Sequence, residues 1–145
     1  MPGEKSLPIG VVPDTFQYVS VTLSHDEVDY VKSAYLFFCE EDTVVDSAFL
    51  SFTTVDGSDD ATFTLQSVPS GLLKTAGVTP VGPEGSGTVI SDSIKTGTTA
   101  DASVAFAITE TANIVPAGNR IAVKVANTST AEGAMITLRI RTRLR

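Results

Sequence analysis

The chain contains no tryptophan, one cysteine and one histidine. A single thiol, Cys39, excludes an internal disulfide. One cysteine and one histidine are also too few ligands for a zinc centre built from those groups. Serine–histidine–acid catalysis would have to run through His25, and no G-x-S-x-G elbow exists to set a serine at a strained strand-to-helix turn. No phosphate-cradling GxxxxGK[ST] or GxGxxG glycine pattern is present, and the glycines of Pro80 to Thr88 meet no helical pattern that could receive a phosphate. No run approaches the ~18 consecutive apolar residues of a membrane helix. The N-terminus lacks the charged start and apolar block of a secretory signal. These absences lead us to expect a soluble protein, made in a reducing cytoplasm, with no cofactor, no catalytic residue, no metal site and no membrane partner. His25 lies in an acidic connection and reads as solvated surface. Cys39 lies in the apolar run AYLFFC and reads as a small core hydrophobe.

At 145 residues the chain fits one domain large enough to bury its own core. The formal net charge is −7, and the four arginines of the last seven residues conceal a more acidic body: without them it would be −11. Nucleic acid is a poor partner for such a surface. Four arginine–phosphate contacts would give a salt slope of only about −3.6, and the rest of the body would repel the polyanion. Another protein fits better.

The last twelve residues, Ala134 to Arg145, organise the reading. Ile136, Leu138, Ile140 and Leu144 fall on one side of an alternating pattern, and Arg139, Arg141, Arg143 and Arg145 on the other. Period-two alternation marks a half-buried strand, because successive side chains point to opposite faces. At about 3.4 Å per residue the strand would run for about 40 Å. Neighbouring arginines on one face lie about 7 Å apart, and their repulsion in water is only about 0.6 kcal/mol per pair before screening. The row therefore does not itself demand an acidic partner.

The remaining pattern is also β. Val19, Val21 and Leu23 alternate with polar residues in Thr15 to Ser24. Val31 to Glu40 is apolar on both faces, with Ala34, Leu36 and Phe38 on one side and Tyr35, Phe37 and Cys39 on the other. Such a strand is expected to be central or to face a neighbouring subunit. Asp46 to Thr54 and Ala61 to Ser67, joined by the Asp-Gly turn of Val55 to Asp60, are expected to form a hairpin. The acids Asp56, Asp59 and Asp60 lack EF-hand spacing and read as a solvated tip rather than an ion site. Residues 68–100 read as a glycine- and proline-rich connection with one weak strand, Thr88 to Lys95. Val104, Phe106 and Ile108 resume the alternation, Val115 to Gly118 is a turn with proline second and glycine fourth, and Ile121, Val123 and Val125 form the next strand. The expected fold is all-β: a single β-sandwich of jelly-roll type with about eight strands, residues 14–145, preceded by an extended arm, residues 1–13. Prolines 2, 8 and 13 keep the arm out of a central strand, whereas Leu7, Ile9, Val11 and Val12 make it apolar enough to act as an attachment strap.

Particular stretches carry a resemblance. They are ANIVPAGNRIAV at residues 112–123, followed by a polar glycine-containing turn and a basic final strand; SAYLFF at 33–38; DSAFLSFTT at 46–54; and DATFTLQ at 60–66. Together they resemble the jelly-roll decoration, or cement, proteins on the heads of tailed bacteriophages. The resemblance implies a homotrimer bound to the major capsid protein on the capsid exterior, assembled in the host cytoplasm, that stabilises the capsid without catalysis. The alternating C-terminal arginines and the proline-rich start depart from that pattern. Candidate protein contacts are Leu7, Ile9, Val11 and Val12 of the arm and Arg139, Arg141, Arg143 and Arg145 of the last strand. The arginine row is expected either to protect a sheet edge from pairing or to pair within the subunit, or else to contact another subunit or the capsid. The alternatives are another virion part, such as a fibre head or receptor-binding knob, and a non-viral carbohydrate- or ligand-binding module. The lack of tryptophan counts against a sugar platform. Nine of the ten aromatics lie between Phe16 and Phe63, at strand positions that suit a core.

Overall fold

A computed structural model describes residues 16–25, 33–53, 62–69, 87–95, 103–126 and 132–143. No helix occurs among them. Ten strands do: β1 (Phe16–Thr22), β2 (Ala34–Phe38), β3 (Thr43–Ser51), β4 (Thr62–Pro69), β5 (Thr88–Val89), β6 (Ile94–Lys95), β7 (Ser103–Ala105), β8 (Ile114–Val115), β9 (Asn119–Ala126) and β10 (Met135–Thr142). They form two antiparallel sheets. The first has the order β1-β10-β3-β7, with β8 also on β3. The second has the order β2-β9-β4-β5, with β6 also on β4. The expected β-sandwich is the fold observed.

The core lies between the sheets and follows from the alternation. From the first sheet Ile136, Leu138 and Ile140 of β10 and Val45, Ala48 and Leu50 of β3 point inward; from the second come Phe63 and Leu65 of β4 and Ile121 and Val123 of β9. Burying each large aliphatic or aromatic side chain contributes about 1.5–3 kcal/mol. Phe52, just past β3, meets Phe63 of the opposite sheet edge to face, centroids 5.6 Å apart. Two buried serines in this layer, Ser67 and Ser91, are hydrogen-bonded. The Ser91 hydroxyl accepts the Leu65 amide at 3.0 Å and donates to the Asp92 carbonyl at 2.9 Å. The Asn119 side-chain amide donates to the Ser67 hydroxyl at 3.0 Å.

The local pattern misplaced several pairings. β3 and β4 do not form a hairpin: β3 lies in the first sheet and β4 in the second, so the chain crosses the sandwich between them. Alternation fixes which face a residue takes but not which strand lies beside it, and the Asp-Gly tip itself lies outside the described residues. β2 is not central. It ends its sheet beside β9, and its register shifts between Tyr35 and Phe37. A bulge adds one residue and reverses the phase beyond it. Ala34 and Phe37 therefore pack on the core while Tyr35 and Phe38 share the outer face, unlike the faces a simple alternation assigns. The weak strand Thr88 to Lys95 is two pieces of two residues each, both on β4. Between them, Ser91 bridges Ile108, so the run from Val104 to Ile108 leaves β3 after Phe106, whose amide still donates to the Ala48 carbonyl at 2.9 Å, and reaches the other sheet.

The turn into β9 is also shifted by one residue. The Asn119 amide donates to the Pro116 carbonyl at 3.1 Å, and Gly118 has φ +90°. Gly118 thus takes the third position, where a type II turn requires positive φ. Gly133, at the bend before β10, also has positive φ, +65°, but there a Cβ would run into the Thr53 side chain. Thr53 is held against that turn by its amide and hydroxyl, which donate to the Glu132 carbonyl at 2.9 Å and 3.0 Å. At Gly118 a Cβ would meet nothing within 4 Å. Gly118→Ala should therefore cost only backbone strain, about 1–2 kcal/mol. Gly133→Ala should add a clash, for about 2–4 kcal/mol in all. Urea unfolding of the two variants tests the ranking, and a reversed order would refute it.

Candidate interaction face

β10 has β1 on one side and β3 on the other. It is an interior strand, so its arginine row does not protect an edge, and that reading is overturned. The arginines instead run down the middle of the first sheet's outer face. Tyr18 stands opposite Arg139 and Phe16 opposite Arg141 on β1, while Ser47 faces Arg139 on β3. Arg143 follows β10; its backbone amide donates to the Asp42 carbonyl at 2.7 Å and it is exposed. Arg145 and the arm residues Leu7, Ile9, Val11 and Val12 lie outside the described residues.

Two arginines are engaged within the subunit. The register of β10 on β3 shifts between Arg139 and Ile140, which leaves Asp46 as the extra residue on β3. Its carboxylate accepts from Arg141 Nε at 3.1 Å, with both side chains roughly a quarter exposed. Arg139 leans diagonally across β1 and stacks on Phe16, its guanidinium carbon 3.5 Å from the ring centroid. A guanidinium over an aromatic face is worth about 0.5–1 kcal/mol at an exposed site. Among the described residues, Arg139 Nε is buried with no hydrogen-bond partner.

The aromatics refine the picture. Phe52, Phe63 and Phe106 are buried as a core reading requires, but Phe16, Tyr18, Phe38 and Phe49 are exposed. Among the described residues, five of the seven exposed large hydrophobic side chains are Phe16, Tyr18, Phe49, Ile114 and Met135. All five share the outer face of the first sheet with Arg139 and Arg141. Tyr18 is the most open, at 68%. The signal was present in the sequence as phase: Phe16 and Tyr18 alternate out of step with Val19, Val21 and Leu23, and Phe49 alternates with Ala48 and Leu50.

The second sheet carries a smaller constellation on its outer face. The β2 bulge sets Tyr35 and Phe38 together, and the Arg120 guanidinium lies 5.6 Å and 5.3 Å from their ring centroids. One cleft of about 520 Å³ is lined by Phe37, Phe38, Glu40 and Glu41, and another of about 440 Å³ exposes Asp46 and Glu110 beside β3. Both present carboxylates, and neither wall includes His25 or Cys39. Cys39 is buried in the core. Burial pushes its thiol above the ordinary value, partly offset by a hydrogen bond with the Thr43 side chain, so at neutral pH it is a neutral thiol rather than a thiolate nucleophile. Among the described residues no cluster of three histidine, cysteine or acidic side chains is placed to hold a metal ion.

No family model matches the sequence, and no curated protein matches it. The chemistry available on the first sheet's outer face is therefore read from its own residues: flat aromatic surface, a thioether and guanidinium groups, with serine and threonine between them. The Arg141–Asp46 pair should orient that face more than it stabilises the fold. A double-mutant cycle with Arg141→Gln and Asp46→Asn should return a coupling of about 1 kcal/mol or less that shrinks with added salt. A salt-independent coupling above about 2 kcal/mol would contradict this.

Proposed function

We propose that this chain is a virion structural protein that decorates the outside of a phage capsid as a homotrimer, with its contacts made by the outer face of the first sheet. The observation that carries the reading is the gathering of Phe16, Tyr18, Phe49, Ile114 and Met135 around Arg139 and Arg141 on one sheet face. Exposed apolar side chains concentrated on one face of a small domain point to a contact site. Tyrosine, phenylalanine, methionine and arginine are the side chains enriched where protein interfaces draw their energy. The small β-sandwich is the architecture that the resemblance to head decoration proteins implies. The acidic body disfavours the packaged nucleic acid as a partner.

Co-sedimentation with particles of the virus that encodes the chain tests the proposal. The parent chain should travel with the capsid. The variant Tyr18→Ser, Phe49→Ser, Arg139→Gln changes only exposed or half-buried positions, so it should stay folded and bind at least about tenfold more weakly, a loss of about 1.4 kcal/mol or more. Equal capsid binding by a folded triple variant would exclude this face, and absence of the parent chain from particles would exclude decoration.

A further inference from the structure

The four lateral edges of the sandwich are not alike. On one side the sheets end in β7 and β8 and in β5 and β6, pieces of two or three residues. On the other side the second sheet ends in β2, whose ladder is broken by a bulge. Short pieces and bulges are the usual devices that stop an edge from pairing with another chain. The remaining edge, β1, has neither. It runs FQYVSVT in unbroken register with β10 over seven residue pairs, with no charged residue and no proline. Its residues are exposed or half-buried throughout.

The direction of its backbone groups that pair with no strand among the described residues follows from one bond. The Leu23 amide donates to the Ala134 carbonyl at 2.8 Å, continuing the β1–β10 register. Along an antiparallel strand, alternate residues turn their amide and carbonyl to the same neighbour. Gln17, Val19 and Val21 therefore share the orientation of Leu23 toward β10, and Phe16, Tyr18, Ser20 and Thr22 turn theirs away from the sheet. The positive charge beside this edge is just as specific. Arg139 stands opposite Tyr18, yet its guanidinium lies over Phe16, which carries the charge from β10 onto the edge strand. β1 itself offers no carboxylate to meet it.

We propose that β1 is a strand-addition site for an extended, carboxylate-bearing segment of a partner protein. The added strand would sit about 4.8 Å beyond β1 and take its main-chain bonds from Phe16, Tyr18, Ser20 and Thr22. A carboxylate on its outer face opposite Phe16 or Tyr18 meets the Arg139 guanidinium. A lysine or arginine there meets repulsion instead. Main-chain bonding of this kind supplies affinity, and the side chains on one face supply selectivity. The inference concerns the edge alone and stands whether or not the chain decorates a capsid.

The test uses the full chain and a labelled nine-residue peptide that alternates valine and glutamate, with a lysine-for-glutamate peptide as control. Fluorescence anisotropy should show saturable binding of the glutamate peptide, about threefold to tenfold tighter than the lysine peptide, with the gap closing in high salt or in Arg139→Gln. Ser20→Pro removes an outward amide and leaves the β10 ladder intact, the setting in which an edge strand accepts proline; it should abolish binding of both peptides. Should that variant fail to fold, the same glutamate peptide N-methylated on alternate amides, offered to the unaltered protein, should not bind. Three results would overturn the proposal: no binding of the glutamate peptide at millimolar concentration, equal binding of the two charge types, or undiminished binding of the N-methylated peptide. Self-association of the parent chain through β1, blocked by Ser20→Pro and accompanied by no peptide binding, would also overturn it, because the occupant would then be a second copy.

Discussion

Burial of Ile136, Leu138 and Ile140 against the opposite sheet is the constraint from which the rest follows. Each of the three is almost completely withdrawn from solvent. With a side-chain period of two, slipping this strand by one residue would drive arginines into the core. A buried unpaired guanidinium costs several kcal/mol, so the register is strongly fixed. With β10 set between β1 and β3, the arginines can only stand on the outer face, and the neighbouring strands decide what surrounds them.

What surrounds them is unusual for a solvated face. A half-exposed sheet normally alternates apolar-in with polar-out. β1 and β3 instead place Phe16, Tyr18 and Phe49 outward, and β10 adds Met135. Arg139 and Arg141 are not spread at random across this surface. One stacks on a ring and the other is tied to Asp46 at a bulge. Each guanidinium is thereby held in place before any partner arrives, which lowers the ordering cost of a contact. The second sheet holds Arg120 between Tyr35 and Phe38 in a similar way but exposes less apolar surface around it.

The legible part of this structure was the part that depends on period. Alternation identified the long strands, the inward row of β10 and the outward arginines, because facing is a local property of a pleated chain. It could not identify β10 as interior, because strand order is decided by pairings between residues far apart in sequence. The same limit explains the false hairpin between β3 and β4, which an Asp-Gly turn predicts and a crossing between sheets defeats. The bulge in β2 added a second kind of failure: one extra residue at Leu36 inverted the faces of Phe37 and Phe38, and no residue type there announces it. The exposed aromatics were legible in phase, but hydrophobicity argued for the core, and at Phe16, Tyr18 and Phe49 phase was the better guide.

The central proposal is that the first sheet's outer face, rather than the second's, is a contact site for a partner. Hydroxyl-radical footprinting of the free chain and of the chain in its assembled state addresses it directly, since aromatic rings and thioethers are the side chains most readily oxidised. The account predicts that Phe16, Tyr18, Phe49 and Met135 become protected on assembly while Phe38 keeps its reactivity. Protection of Phe38 with no change at Tyr18 and Phe49 would contradict it.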